Sequence, residues 1–202
     1  VINGLRRLEY RGYDSAGIVL EDKNNNFEVK KTKGKVSDLV DISENLKGTS
    51  HIGMGHTRWA THGVPSDRNS HPHVSNDGKI ALVHNGIIEN YDTIKTMLIG
   101  KGFTFLSETD TEVLVNLIQY ILDTQNVDFP QAVRYALNEV YGAYAITVMH
   151  KDYPGVLVVG RLGSPLAIGL GDKEYFIASD ASPFVEFTKE AVYLEDGHMA
   201  TI

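Results

Sequence analysis

Between Gly55 and Val74 the chain carries His56, Arg58, Trp59, Thr61, His62, His71 and His73 in one polar stretch. A guanidinium such as Arg58, just past a strand-like run, can clamp a carboxylate through two parallel hydrogen bonds. The plain alternative is a surface arginine. Thr61 and His62 add donors beside it, although singly each is more often structural. Trp59 is costly on a loop unless it covers something. Asn85-Gly86 closes an apolar run, and a tight turn is the simplest reading of that dipeptide. A carboxamide beside an unobstructed glycine amide is also the makeup of an oxyanion hole. Asp110 follows Thr109 at the start of a helical pattern. An acid there either complements the helix dipole or meets the ammonium of a ligand. Arg58 and Asp110 in one pocket would hold both ends of an α-amino acid zwitterion. His71 and His73 are two apart, so on an extended segment they face the same way. With His56 and His62 they could hold zinc, but the tighter spacing of zinc sites is missing. The expectation is no metal and no cofactor. A nucleophile is not evident: there is no G-x-S-x-G and no cysteine in the 202 residues.

The elements around these residues follow from periodicity. Val1, Leu5 and Leu8 have helical spacing, and Arg11-Gly12-Tyr13-Asp14-Ser15 is a turn. Ala16 to Glu21 and Phe27 to Thr32 flank Asn24-Asn25-Asn26 as a hairpin. Helical spacing returns from Val36 to Leu46, and a strand from Ile52 to Thr57 precedes the long polar loop from Arg58 to Gly78. A loop of about 20 residues in a compact domain usually has a function. Lys79 to His84 is a strand. Helices follow from about Ile88 to Gly100, from Thr109, where Thr109-x-x-Glu112 is a capping box, and from about Phe129 to Val140. Strands then run over Ala143–His150, Gly155–Gly160, Leu166–Leu170 and Tyr175–Ala178, with a short helix at Pro183–Thr188. Strands in a run, helices in a run and strands again point to one α+β domain over residues 1–202, with antiparallel sheets and helices packed outside.

The formal net charge is −7, with 22% charged and 42% hydrophobic residues. No basic stripe with interleaved aromatics is present, which excludes the usual nucleic-acid-binding surface. No apolar run approaches the roughly 20 residues that span a bilayer, so no membrane partner is expected and the cytoplasm is the default location. With no cysteine, disulfides and thiolate metal sites are excluded within these residues. There is no initiator Met, the chain opens in helical sequence without a cap, and it closes in strand-like sequence. It is expected to be a piece of a longer protein.

Arg11-Gly12-Tyr13-Asp14-Ser15-Ala16-Gly17, His56-Thr57-Arg58-Trp59-Ala60-Thr61-His62-Gly63, His71-Pro72-His73, His84-Asn85-Gly86-Ile87-Ile88-Glu89-Asn90 and Ser107-Glu108-Thr109-Asp110-Thr111-Glu112 occur in this order. Together they resemble the class II (N-terminal nucleophile) glutamine amidotransferase domain, in the form found in glucosamine-6-phosphate synthases. The resemblance implies a four-layer αββα sandwich of two antiparallel sheets between helices. It implies an N-terminal cysteine whose thiolate attacks the side-chain carboxamide of L-glutamine, with its own α-amino group as general base, releasing ammonia and then glutamate. Carried over by motif, Arg58 binds the glutamine carboxylate and Asp110 its ammonium. Thr61 and His62 line that pocket, Trp59 walls it, and Asn85 with the Gly86 amide forms the oxyanion hole. Arg11 and His71 play supporting parts. The family's first strand and its cysteine are not among these residues, a difference on the order of 15 residues. The expected fragment is therefore inactive alone. The family's isomerase half, which uses that ammonia to convert fructose 6-phosphate to glucosamine 6-phosphate and through which the longer protein dimerises, is also outside them. Alternatives are a glutamine-binding module that has lost its nucleophile, the glutaminase domain of another class II amidotransferase, or a metal-dependent hydrolase using the four histidines.

Overall fold

A computed structural model describes residues 1–46 and 51–202. The expected hairpin forms between β1 (Ser15–Glu21) and β2 (Phe27–Lys33). Asp22 builds its turn: Oδ1 accepts from the amides of Asn24 at 2.7 Å and Asn26 at 2.8 Å, while Asn25 takes φ 62°, a conformation that Asn tolerates. The strand β3 (Gly53–Arg58) pairs with the other side of β1, giving a sheet of order β2-β1-β3.

A second sheet joins β4 (His73–Val74), β5 (Ile80–Ile88), β6 (Gly142–His150), β7 (Leu157–Leu162) and β11 (His198–Thr201) in the order β11-β7-β6-β5-β4. A third contains β8 (Ala167–Leu170), β9 (Tyr175–Ala178) and β10 (Ala191–Tyr193) in the order β10-β8-β9. All the ladders between these strands are antiparallel.

Side-chain alternation along the strands sorts the core into layers. On β5, Ile80 and Leu82 point one way, into a cluster with Leu114, Ile118 and Val133; Ala81 and Val83 point the other way, to Val19 and Met54. The first cluster lies under α3 (Tyr91–Gly100), α4 (Asp110–Thr124) and α5 (Phe129–Glu139). The second is the contact between the β5 sheet and the β1 sheet. Ala145 and Val159 continue that contact against Leu166 and Ile168 of the β8 sheet. On β1, Ala16 and Ile18 turn outward onto Leu5 of α1 (Ile2–Leu8) and onto Val36 and Leu39 of α2 (Val36–Ser43). Helices, sheet, paired small sheets and helices make the four layers αββα.

Several expectations are corrected. Asn85-Gly86 is no turn. β5 runs straight through it to Ile88, and α3 begins only at Tyr91. At Gly86 the backbone takes φ 129°, and a Cβ there would stand 2.1 Å from the Ala143 carbonyl oxygen, so glycine is required. The stretch from Pro183 to Thr188 forms turns, not a regular helix. The long polar loop contains β4, paired through His73 and Val74 with Leu82 and Ala81.

Candidate functional site

A cleft of about 920 Å³ opens between the sheet layers, lined by Arg11, His56, Arg58, Trp59, Thr61, His71, His84, Asn85, Gly86 and Asp110. Its walls include every residue of β3 and every residue of β9. Both strands end their sheets, so among the described residues two unpaired edges flank one cleft.

Arg58, the last residue of β3, is only 4% exposed. Its Nη2 donates to the carbonyl of His62, and to that of Gly63 at 3.3 Å. Nη1 is buried and makes no hydrogen bond. Burial lowers the pKa of the guanidinium, while Asp14 and Asp110 oppose that shift. A buried cation with an unused donor on a cleft wall calls for an anion. The loop that supplies the two carbonyls is pinned elsewhere: the Ala60 amide donates to Asp14 Oδ2 at 2.6 Å, and Asn69 Nδ2 donates to Val64 O and to Glu108 Oε2.

Asp110 is the first residue of α4. Its Oδ2 accepts from the Ile88 amide at 2.8 Å. Oδ1 has Thr111 Oγ1 at 3.5 Å and His62 Nδ1 at 3.9 Å, distances too long to saturate it. Thr109 caps the helix as expected, accepting from the Glu112 amide at 3.3 Å. The expected reciprocal half of the capping box is absent, because the Glu112 carboxylate takes the amides of Leu106 at 2.8 Å and Ser107 at 2.6 Å instead.

Asn85 Oδ1 lies 2.8 Å from His56 Nε2. The His56 ring lies 4.2 Å from that of His71, and His71 lies 5.0 Å from His73, whose Nε2 is 3.0 Å from Thr109 Oγ1. Burial is the main cause that keeps all three neutral: it pulls His56 down to about 4, and His71 and His73 well below the ordinary histidine value. His84, at 4.0 Å from Asp110, is lowered by burial against the pull of that carboxylate. Among the described residues no three His, Cys, Asp or Glu side chains converge on a point that would hold a metal ion.

Of the site residues expected from sequence, all but His62 line one cleft; the His62 ring lies beside it against Tyr91, with Nδ1 3.9 Å from Asp110 Oδ1. Two of the lining residues need qualification. Trp59 is 69% exposed and packs on Gly12 at the rim, where it could wall a ligand only from outside. Arg11 is engaged by an ion pair with Asp180 and a 2.9 Å hydrogen bond to Ser179. Sequence reasoning missed the tie from His56 to Asn85 and the anchoring roles of Asp14, Asn69 and Glu108. Each links residues 29 or more apart, so no local spacing could have announced it.

A family model described as "Glutamine amidotransferase domain" matches residues 16–201. The glutamine–fructose-6-phosphate aminotransferase (isomerizing) of Bacteroides thetaiotaomicron is 54% identical over the whole chain, and that of Chlorobaculum tepidum 53%. The chain spans about a third of the length of these curated relatives, 33% in both cases. Among solved structures, the glutamine phosphoribosylpyrophosphate amidotransferase from B. subtilis superposes with a TM-score of 0.81 at 30% identity, covering all of this chain and 43% of that one.

Proposed function

Because this chain belongs to the class II glutamine amidotransferase domain family, we propose that its cleft binds L-glutamine and is the glutaminase site of a glutamine–fructose-6-phosphate aminotransferase. The observation that carries the reading is the buried, unpartnered Nη1 of Arg58 in the same cleft as the open Oδ1 of Asp110. Cation and anion together fit the carboxylate and ammonium of one α-amino acid. Thr61 and His62 flank that end. Asn85 and the Gly86 amide, in the same cleft, would receive the side-chain carboxamide and the oxygen on which charge develops.

The nucleophile is a cysteine supplied from outside these residues. Its thiolate would attack the glutamine carboxamide carbon, forming a thioester and releasing ammonia; water then releases glutamate. In the longer protein the ammonia would aminate fructose 6-phosphate to glucosamine 6-phosphate in a further, isomerase region. A homodimer assembled through that region, and a cytoplasmic location, belong to the same reading. No helix among the described residues is long and apolar enough to cross a membrane.

Calorimetric titration with L-glutamine is the test. Arg58→Ala and Asp110→Ala should each weaken binding by roughly 100-fold, as expected when one partner of a buried charge pair is removed. D-glutamine, which presents the same charges in the wrong order, should bind far less. Unchanged affinity in both variants would sink the assignment.

A further inference from the structure

The cleft contains a carboxamide whose orientation decides what it can do. Asn85 can stabilise negative charge only if Nδ2, not Oδ1, faces the ligand. The two ends of an asparagine carboxamide are distinguished by their hydrogen bonds. Here the partner is His56, with Nε2 at 2.8 Å from Oδ1. His56 stands in β3 opposite Gly17 of β1, and its ring lies tilted at 41° against that of His71.

Two arrangements of this pair are conceivable. In one, His56 carries its proton on Nε2 and donates to Oδ1. In the other, the proton is on Nδ1 and Nε2 accepts from a reversed carboxamide. The surroundings separate them. His56 Nδ1 is buried and has no partner that meets hydrogen-bond geometry, although the His84 backbone lies close to the ring. A proton there would be an orphaned buried donor, which costs more than a lone pair left bare. A doubly protonated ring would bury a charge beside Arg58 and His71, and burial holds the pKa of His56 near 4. One neutral tautomer remains, with its only N–H aimed at Asn85.

We infer that His56 is a positioning residue: its Nε2–H grips the Asn85 carboxamide by the oxygen and turns the Nδ2 donors into the cleft. The inference rests on the reading of the cleft given above, since an oriented donor has a purpose only if a developing oxyanion sits before it. His71 supports the orientation from behind. Its carbonyl oxygen is so close to β1 that a Cβ on Gly17 would stand 2.0 Å away, which fixes the segment bearing the neighbouring ring.

Side-chain 15N NMR on the full chain tests the inference without needing a ligand. Near neutral pH, His56 should show a protonated Nε2 and a bare Nδ1, and the Asn85 NH2 should give one sharp, dispersed pair. His56→Gln, whose amide can donate to the same oxygen, should keep that pair; His56→Leu should broaden it or move it to the position of a free amide. Where L-glutamine binds, its affinity should fall about tenfold in His56→Leu and recover in His56→Gln, the loss expected for one misaligned hydrogen bond. Melting temperatures of both variants separate this from simple unfolding. A wild-type His56 protonated on Nδ1 overturns the inference whether or not the variants fold. So does an Asn85 pair unchanged in a folded His56→Leu. Absence of glutamine binding in the wild type, with the Nε2–H tautomer observed, would overturn the proposed function and leave the orientation standing.

Discussion

Arg58 and Asp110 were legible in the sequence because each has a local signature, a guanidinium at a strand end and an acid just inside a helix start. Asn85 and Gly86 were legible only as alternatives, since a turn and an oxyanion hole begin with the same dipeptide. The structure rules out the turn, since β5 runs through the dipeptide and the Ala143 carbonyl crowds Gly86 from the neighbouring strand; the oxyanion hole is the proposal made above. The histidines were the least legible, because their spacing suits zinc as well as a cluster of neutral rings. Burial makes the cluster a liability in acid. His56 has a folded-state pKa of about 4, below its unfolded value, so the unfolded chain takes up the proton first as the pH falls. The stability it contributes is therefore present above the unfolded value near 6.5 and is lost as the pH drops toward 4. At pH 5 the loss from His56 alone is about 2 kcal/mol, and His71, His73 and His84 act in the same direction. Urea midpoints measured at pH 7.5 and pH 5 should differ markedly, and His56→Gln should narrow the gap. Equal midpoints would mean that these rings are already charged or already wet at neutral pH.

At the scale of the element, α4 carries most of the burden of aiming the site. Its N-terminus presents Asp110, its cap Thr109 meets His73, and its third residue Glu112 holds the incoming chain. The capping box legible at Thr109-x-x-Glu112 is only half formed, because the Glu112 carboxylate finds three donors at Leu106 and Ser107, including Ser107 Oγ at 2.6 Å. Three charge-assisted contacts outcompete the single reciprocal one. A buried acid with that many partners should be expensive to remove: Glu112→Ala leaves the buried Ser107 amide unpaired and takes the charged acceptor from the Leu106 amide and the Ser107 hydroxyl, a loss of about 3 kcal/mol. Glu112→Gln keeps the shape and one acceptor and should lose less. Chemical denaturation of both variants checks the order. Glu112→Ala should also weaken glutamine binding, since the register of Asp110 depends on that clamp, whereas an Asp128→Ala change at the cap of α5 should weaken stability alone. The main helices and the hairpin were legible from periodicity and turn residues. The start of α3 and the short β4 were not, because partners distant in sequence set them; nor was the end of α2, which closes in a local turn from Ser43 to Leu46.

At the scale of the whole molecule, the sequence told sheets from helices but not how many sheets there would be. That number depends on which strand edges meet, and here two do not. Among the described residues β3 and β9 face a common cleft with their outer edges unpaired, while Met54, Ile18 and Leu20 on one side and Phe176, Ile177 and Phe184 on the other give that cleft apolar flanks. A six-residue strand such as β3 is about 20 Å long, so the cleft can take one extended segment hydrogen-bonded along β3 and reaching β9. Such a segment would fuse the two small sheets into one and bring its end to Arg58, Asn85 and Gly86. Unpaired apolar edges are also a route to association between copies. A segment of about 15 residues, beginning with cysteine and patterned as a strand, joined ahead of Val1, should therefore do three things together. It should raise the melting temperature, reduce concentration-dependent association, and start the release of glutamate from L-glutamine. Replacing its cysteine with alanine should abolish only the third. A segment that raises stability without conferring hydrolysis would show that the slot is filled but misaimed. One that does neither would mean that the edges of β3 and β9 close on each other in solution, and the proposal that the nucleophile enters between them would fall.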